Sequence, residues 1–326
     1  MKIQTTVENL DNYKIYLQVE KAVHEFMEKH NYLKVDLPVL SPFLIPESYL
    51  EIFETEFNYF NKKEKLYLTP SPELFLKRLL VGGIGNCYYL GRAYRNCEPN
   101  SDWHSPEFTM LEFYKVGINY LEMAEEVLKM LQFVNKKCRG NDTMLFDRWE
   151  KYSVSEAFEK FSGIKKEKLF NEKLFFKKAK DKGYNVNKTT YEDIFSQILA
   201  TEIEPKLGVN GYPTLLYDYP KQMASLAKLN DDGLTAQRCE FYINGLEVGG
   251  FCTELNDYKE QQKRFISEAK KRKKNKIINH SIDKGFIEAL KYGLPNCTGA
   301  GIGFERLVMI FANTTSINQL KLINIV

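Results

Sequence analysis

Near its carboxyl end the chain reads Gly299-Ala300-Gly301-Ile302-Gly303-Phe304-Glu305-Arg306, three alternating glycines followed by an arginine. Glycines let a backbone approach a bound ligand where a side chain would collide. An arginine offers phosphate a permanently charged, two-pronged contact. A turn of this kind alone is more often a tight connection between a strand and a helix, and its spacing does not match the glycine loop of protein kinases. Its meaning therefore depends on the segments that accompany it.

A second segment of similar character begins at Arg95 and continues from His104 to Tyr114. Arg95 and Arg306 are far enough apart in sequence to reach different phosphates from two structural elements. Phe108 offers a flat face for adenine, and the guanidinium of Arg306 is suited to cover the other face of the base. Attack of a carboxylate on the α-phosphate of ATP brings two anions together, so cations must be in place first. The two segments indicate an ATP-consuming site that activates a carboxylate.

Hydrophobic periodicity predicts the elements that carry these segments. Apolar residues recur at helical spacing after Asp11, which predicts a helix with Asp11 as its N-cap and its end at Asn31. Alternation over residues 108–116 predicts a strand in which Glu112 and Tyr114 share one face. Two more elements are predicted, a helix over about 120–134 and one strand over 241–248.

The cationic segments resemble signature motifs of the class II aminoacyl-tRNA synthetases, in the lysyl branch. Arg95 with residues 104–114 resembles motif 2, residues 299–306 resemble motif 3, and Leu37-Pro38-Val39-Leu40 resembles motif 1. Further lysyl-type signatures lie at residues 71–79, 245–248 and 253–257. The resemblance runs from about Asp11 to the carboxyl terminus. It implies an α+β fold with a mainly antiparallel sheet flanked by helices.

The layout before motif 1 narrows this resemblance. Lysyl-tRNA synthetases carry an anticodon-binding β-barrel of roughly a hundred residues there, whereas motif 1 begins here within the first forty residues. This is similar to the elongation factor P lysyltransferase family, also called EpmA, PoxA or GenX, which transfers a lysine-type amino acid to a lysine of elongation factor P. The resemblance implies one catalytic domain over residues 1–326, with a helical insertion at about 140–210 and no N-terminal anticodon-binding domain. It also implies a homodimer formed through motif 1, elongation factor P as the acceptor protein, and no stable tRNA binding.

The resemblance also implies roles for individual residues. A lysine-type substrate is dicationic, and its burial requires carboxylates near both amines. Glu73 would hold the amine nearer the substrate carboxylate, and magnesium, a hard cation, would bridge the ATP phosphates from two glutamates. The catalytic residues would be Arg95 and Arg306. Binding of ATP would use Arg95, Asn96, Glu98, His104, Phe108, Glu247, Gly303 and Arg306; the amino acid would contact Ser71, Glu73, Glu112, Tyr114, Glu254 and Gly301; and magnesium would be held by Glu240 and Glu247.

Several residues differ from those usual in the family. Gly250 stands in place of an asparagine and Cys252 in place of a phenylalanine, and Gly301 is the glycine of synthetases rather than the alanine of β-lysine-specific lysyltransferases. In the motif 2 loop, either Cys97 or Glu98 takes the acidic adenine-contacting position. The sequence therefore predicts a lysine-like substrate without choosing between α-lysine and β-lysine.

Composition agrees with a cytoplasmic enzyme. The 326 residues include six cysteines with no C-x-x-C pair, which argues against structural zinc and favours reduced thiols. The amino terminus is polar and no apolar run reaches membrane length, so no membrane association is expected. The net charge of +3 does not indicate nucleic-acid binding. The basic run at residues 270–276 is either a docking surface for an acidic partner or a solvated helix end.

Two other classes of function remain open. One is a stand-alone ligase that acylates tRNA, a carrier protein or a small amine. The other is a catalytically silent paralogue that binds an amino acid or a nucleotide for regulation. The presence of Arg95, Arg306, Glu240 and Glu247 favours catalysis over the regulatory alternative, because a sensor does not require both phosphate arginines and both candidate metal carboxylates.

Overall fold

A computed structural model describes residues 2–98, 101–138 and 146–325. The chain divides into two compact units. Unit 1 comprises Met1–Gly117, Phe133–Asn141 and Leu255–Val326, and unit 2 comprises Ile118–Gln132 and Asp142–Glu254. The single domain over 1–326 stays a prediction, and residues 140–145 of the predicted insertion lie outside the described residues. Among the described residues, no helix has the length and apolar character needed to cross a bilayer.

The elements follow in chain order. The strands are β1 (Ile3–Thr5), β2 (Leu33–Lys34), β3 (Leu40–Ser41), β4 (Glu54–Tyr59), β5 (Lys62–Leu68), β6 (Cys87–Tyr94), β7 (Glu107–Val116), β8 (Glu150–Ser153), β9 (Thr214–Pro220), β10 (Thr235–Ile243), β11 (Leu246–Thr253), β12 (Cys297–Gly303) and β13 (Ile323–Ile325). The α-helices are α1 (Leu10–Lys29), α2 (Glu73–Val81), α3 (Tyr120–Cys138), α4 (Val154–Ala157), α5 (Lys166–Leu169), α6 (Glu172–Asp181), α7 (Tyr191–Ile198), α8 (Tyr258–Asn275), α9 (Lys284–Gly293) and α10 (Phe304–Ala312).

Four strands form the sheet of unit 1, in the order β2-β6-β7-β12. The β2–β6 pair is parallel and the other two pairs are antiparallel. Glu112, in the middle of β7, lies opposite Tyr89 of β6 and Gly301 of β12. Motifs 2 and 3 are thus adjacent strands of one sheet, as an α+β class II core requires. A separate three-stranded sheet, β3-β5-β4, belongs to the same unit.

Helix α1 differs at both ends from its prediction. It begins at Leu10, so Asn9 rather than Asp11 occupies the N-cap position. The Asn9 side chain donates instead to the carbonyls of Asn318 and Lys321, at 3.0 and 2.9 Å. The predicted N-cap at Asp11 is therefore wrong, because Asp11 lies inside the first turn and its carboxylate pairs with Lys14, 2.8 Å away. The helix ends at Lys29.

Unit 2 combines a second run of strands with a helical region. Its strands follow the order β11-β10-β9-β8, in which β8–β9 is parallel and the others are antiparallel. Helices α4 to α7 pack around an aromatic core in which the rings of Phe158 and Phe195 stack with centroids 4.8 Å apart. Phe175 and Tyr191 lie 4.7 Å apart in the same core. The described part of the predicted insertion therefore shares one hydrophobic core with Leu216 and Tyr219 of β9 and Tyr242 of β10.

The single strand predicted over 241–248 is wrong. Strand β10 ends at Ile243, and β11 begins at Leu246. Asn244 and Gly245 between them have φ values of 53° and 77°, the left-handed conformation that a two-residue hairpin turn needs. The Asn-Gly pair is a strong hairpin signal that the motif-based interpretation overlooked. The turn places Glu240 and Glu247 on two different strands.

Candidate active site

The cationic residues of unit 1 begin with Arg306, in the first turn of α10. Its Nη2 lies 2.9 Å from Nε2 of His104, and its Nε donates to the carbonyl of Trp103 at 3.2 Å. Burial lowers the pKa of His104, and the neighbouring Arg306 and Arg95 lower it further, while Glu98 opposes them. The imidazole is therefore neutral near pH 7 and accepts from Arg306. Motifs 2 and 3 are brought into direct contact by this pair.

Arg95 lies over the ring of Phe108. The centre of its guanidinium is 5.1 Å from the ring centroid, a cation–π contact. Its Nε is buried and has no hydrogen-bond partner in the described part of the chain. A buried guanidinium donor without a partner is costly unless an anion accepts from it. Arg95 therefore suits a phosphate oxygen, and this is the feature of the site that fits ATP best.

Asn96 is occupied by the protein itself. Its Nδ2 donates to the carbonyl of Ile52 at 3.3 Å, and its Oδ1 accepts from the backbone N–H of Cys97 at 2.9 Å. Its own N–H donates to the carbonyl of Glu51 at 3.0 Å. Asn96 thus anchors the start of the motif 2 loop. Glu98 follows two residues later, with its Oε2 3.9 Å from Nε2 of His104.

The structure brings four of the predicted amino-acid contacts together in unit 1. Glu112 is 5 % exposed. Its Oε2 accepts from the hydroxyl of Ser71 at 2.7 Å and its Oε1 from that of Tyr114 at 3.1 Å. Gly301 faces Glu112 across the β7–β12 pair, and a Cβ there would meet no heavy atom within 4 Å. Space is therefore available beside a buried carboxylate.

Glu73 is the first residue of α2 and pairs with Lys77 one turn later. The Nζ–Oε1 distance is 2.5 Å, and the Lys77 side chain is 2 % exposed. Ser71 Oγ accepts from the Glu73 N–H at 3.1 Å, which links this pair to Ser71 and Glu112. Lys77 was not among the predicted residues. Its spacing of four residues from Glu73 is the sequence pattern that could have identified it, because residues four apart are neighbours on a helix.

Gly303 ends β12 and caps α10, so it sets the direction in which Arg306 leaves the sheet. Glu305 is a second residue that the motif interpretation missed. Both of its carboxylate oxygens accept from the backbone N–H of Thr109 at 2.9 Å, which ties α10 to β7. Burial raises the pKa of Glu305. Its role is to hold motif 3 against motif 2.

The remaining predicted carboxylates belong to unit 2. Glu254 follows β11, is 3 % exposed and accepts from the thiol of Cys252 at 3.7 Å. Glu247 is half-buried on β11. Glu240 on β10 accepts from Arg238 Nη2 at 2.6 Å.

Two tyrosines complete the surroundings of Glu240. The hydroxyl of Tyr242 donates to it at 2.7 Å, and that of Tyr219 also donates to it. Burial and the charge of Glu240 raise the pKa of both tyrosines, so both remain donors. With Arg238, three protein donors occupy a carboxylate that offers about four lone-pair sites.

Magnesium therefore finds little room at Glu240 in this side-chain arrangement. Within residues 2–98, 101–138 and 146–325, no group of three or more histidine, cysteine or carboxylate side chains is arranged to hold a metal. Magnesium held by two carboxylates and phosphate oxygens does not require such a group. The assignment of Glu240 and Glu247 to magnesium stays a prediction.

Comparison with known proteins decides the family. The family model of the class II tRNA synthetases for aspartate, lysine and asparagine (D, K and N) matches residues 2–323. The chain belongs to this family. It is an ATP-dependent aminoacyl ligase of the class II type, and the α+β fold predicted from the motifs is confirmed.

The relatives most similar to this ligase include proteins of two names. It is 35 % identical over 303 residues to an elongation factor P–(R)-β-lysine ligase of Buchnera aphidicola subsp. Schizaphis graminum, covering 91 % of this chain and 90 % of that protein. A protein of the same name from Avibacterium paragallinarum is 34 % identical over 301 residues, with 91 % and 90 % covered. A lysine–tRNA ligase of Carboxydothermus hydrogenoformans is 33 % identical over 316 residues, which cover 94 % of this ligase but 63 % of that enzyme.

Proposed function

We propose that this ligase activates a lysine-type amino acid as its acyl-adenylate and transfers it to a lysine side chain of elongation factor P. The observation that supports the proposal is the identity to the elongation factor P–(R)-β-lysine ligases, 35 % over 303 residues and 34 % over 301 residues, which extends over about nine tenths of this chain and of each relative. The proposed ligase acts in the cytoplasm as a homodimer, without stable tRNA binding.

The proposed amino-acid contacts follow from the carboxylates. Glu112, with Ser71 and Tyr114 holding its oxygens, and Glu254 receive the distal ammonium, while Glu73 is the contact for the amine nearer the carboxylate. Ammonium–carboxylate hydrogen bonds are strong where water is excluded. Because Gly301 leaves open space beside Glu112, the proposal includes both α-lysine and β-lysine.

The proposed chemistry uses the cationic residues of unit 1. The substrate carboxylate attacks the α-phosphorus of ATP in line, a new C–O–P linkage forms, and pyrophosphate leaves. Arg95 and Arg306 stabilise the charge on the transferring group, with Arg306 oriented by neutral His104. Phe108 supports adenine, and the remaining proposed ATP contacts are Asn96, Glu98, Glu247 and Gly303. Magnesium would neutralise the ATP phosphates, and Glu240 and Glu247 stay its proposed ligands on the condition that Glu240 exchanges one of its three protein donors for the ion.

The second step forms an amide. The deprotonated amine of the acceptor lysine attacks the acyl carbon, and AMP leaves with the electrons of the broken C–O bond. The amine must lose a proton before it attacks. The proton affinity of the acceptor lysine in the complex is thereby one determinant of the rate.

Activation is tested by ATP–pyrophosphate exchange with purified protein, using α-lysine, both β-lysine enantiomers, ornithine and the other standard amino acids. Exchange is expected with a lysine-type compound. Arg306→Ala is expected to reduce it about a hundredfold or more, because a phosphate contact made in the transition state is lost. The exposed Arg148→Ala is the matched control and should keep full activity. Exchange that depends on a neutral amino acid instead would remove the lysine assignment.

Transfer is tested with two acceptors. Incubation with elongation factor P, ATP and the activated amino acid should add one aminoacyl mass to a lysine, and a Lys→Arg variant of that acceptor should stay unmodified. Lysine tRNA is the competing acceptor, favoured by the 33 % identity to the lysine–tRNA ligase over 94 % of this chain. Acylation of tRNA without modification of elongation factor P would establish the stand-alone ligase. No exchange and no transfer in folded protein would favour a regulatory paralogue.

A further inference from the structure

One arginine of the basic run at residues 270–276 points into the protein. Arg272, near the end of α8, is 1 % exposed, whereas Lys270, Lys273, Lys274 and Lys276 are exposed. A buried guanidinium is stable only where acceptors replace the water it has lost. Because Arg272 is buried, it does not contribute to any charged surface that the basic run forms.

Backbone carbonyls supply those acceptors. Nη1 of Arg272 donates to the carbonyl of Glu47 at 2.6 Å and to that of Leu50 at 2.5 Å, and Nη2 donates to the carbonyl of Ile278. The carboxylate of Glu51 is 3.8 Å from Nη2. A single side chain therefore contacts the segment Glu47 to Glu51 at two backbone carbonyls and approaches its last carboxylate.

Two further contacts attach the same segment to its surroundings. Glu268, one helical turn before Arg272, accepts from the N–H of Ser48 at 3.0 Å. Glu51 accepts from the N–H of Ile278 at 3.1 Å. The segment is thus held from α8 and from the chain that follows it.

The other side of the segment holds motif 2. The carbonyl of Glu51 accepts from the N–H of Asn96, and that of Ile52 accepts from its Nδ2, at 3.0 and 3.3 Å. Arg95, whose Nε is the unpartnered donor proposed for phosphate, directly precedes Asn96. A shift of the segment 47–52 would therefore move the backbone that carries Arg95.

We infer that Arg272 is a positioning residue for ATP. It holds the backbone of the segment 47–52 in place, and that segment holds Asn96 and so sets the direction of the Arg95 side chain. The inference rests on the proposed role of Arg95 in ATP binding. All of these residues belong to unit 1. Arg272 acts through backbone carbonyls, so a lysine, with a single point charge, does not replace its planar fork.

The test compares Arg272→Met with Lys273→Met, its exposed neighbour in the same run. Calorimetric titration with ATP and magnesium gives the affinity for the nucleotide, and exchange kinetics give the KM of the activated amino acid. Arg272→Met is expected to weaken ATP binding about tenfold and to leave the amino-acid KM within about twofold. Lys273→Met should change neither value. A rise in the amino-acid KM as large as the loss of ATP affinity would overturn the inference. So would an ATP affinity that stays at the wild-type value.

A double-mutant cycle with Asn96→Ala tests the proposed route. If Arg272 acts through Asn96, the double variant weakens ATP binding by less than the product of the two single factors. Multiplying factors would refute this route. Should Arg272→Met fail to fold, Arg272→Lys replaces it in the cycle, because a lysine keeps the positive charge but loses the planar fork that contacts the carbonyls.

The ATP measurement also separates this inference from the proposed function. Nucleotide affinity is measured without any amino acid or acceptor. Wild-type protein that binds ATP but activates no lysine-type compound would contradict the proposed function alone. The comparison of Arg272→Met with Lys273→Met would still decide the role of Arg272.

Discussion

Glu112 and Glu73 illustrate how differently two carboxylates of one predicted set are held. Glu112 accepts from the hydroxyls of Ser71 and Tyr114, and Glu73 pairs with the ammonium of Lys77. The alternation of β7 predicted that Glu112 and Tyr114 share a face, and their hydrogen bond confirms it. Partners that come from another element, such as Ser71, depend on tertiary packing and were found only through family motifs.

His280 carries the pH dependence expected at the residue scale. It is 5 % exposed, and burial lowers its pKa from 6.5 to about 4, with Arg272 acting in the same direction. The unfolded chain therefore binds a proton at a higher pH than the folded protein does. Stability from this group is present above about pH 6.5 and is lost as the pH falls towards 4. The loss at pH 4 is about 3 kcal/mol.

Denaturant unfolding at several pH values between 7 and 4 measures this effect. In His280→Phe, which keeps an aromatic ring beside Tyr67, the decline of the unfolding free energy towards pH 4 should be smaller by about 3 kcal/mol. Parallel pH profiles for the variant and the wild type would contradict the assignment. The His280 ring proton, followed by NMR, should titrate near pH 4.

At the scale of elements, the hairpin of β10 and β11 depends on how Gly208 packs against it. The carbonyls of Leu207 and Gly208 accept from the N–H groups of Gly245 and Asn244 at 2.8 and 2.9 Å. Gly208 has a φ of 68°, and a Cβ there would lie 2.4 Å from the carbonyl oxygen of Tyr242. No side chain fits at that distance without a backbone shift.

Gly208→Ala is therefore expected to destabilise the protein more than Gly233→Ala. Gly233 has a similar φ of 62°, but a Cβ there would meet nothing within 4 Å, so it shares the conformational penalty without the collision. The difference between the two variants in unfolding free energy should be about 2 kcal/mol or more. Equal denaturation midpoints would show that the backbone around the hairpin yields to the added methyl group.

Elements defined by long hydrophobic patterns were predicted well. Helices α1 and α3 and strand β7 lie where periodicity placed them, to within a few residues. The errors occurred at boundaries. The side-chain amide of Asn9, at the N-cap position of α1, donates to a carbonyl more than three hundred residues away in the chain, and no local sequence pattern predicts that.

At the scale of the whole molecule, the motifs and their order along the chain supplied most of the information about the family and the fold. Their order predicted the class II family and the fold, both confirmed over residues 2–323. They did not predict the burial of Arg272 inside a basic run, because neighbouring lysines give the same local pattern. Docking of a partner on the exposed lysines of that run stays a hypothesis.

The homodimer is the prediction that belongs to this scale. Leu10 and Leu17 of α1, in the segment that precedes motif 1, are 42 % and 45 % exposed and lie seven residues apart, so a partner helix could cover both. Light scattering should show a dimer, and Leu17→Asp should raise its dissociation constant about tenfold or more, because a charge is buried without a partner.

Leu121→Asp is the matched control, since Leu121 is equally exposed, at 41 %, on α3. It should leave the dimer intact. A wild-type protein that stays monomeric at micromolar concentration would show that motif 1 has no interface role here.

The pairing of Lys77 with Glu73 has a chemical consequence for an enzyme that makes an acyl-adenylate. Such a mixed anhydride acylates any accessible amine that carries a free lone pair. Lys77 is 2 % exposed and lies one turn from the proposed amine contact, with its Nζ 2.5 Å from a carboxylate. An ammonium held in an ion pair keeps its proton and has no lone pair to donate. In the proposed reaction, the same ion pair with Glu73 would keep Lys77 from being acylated by the adenylate.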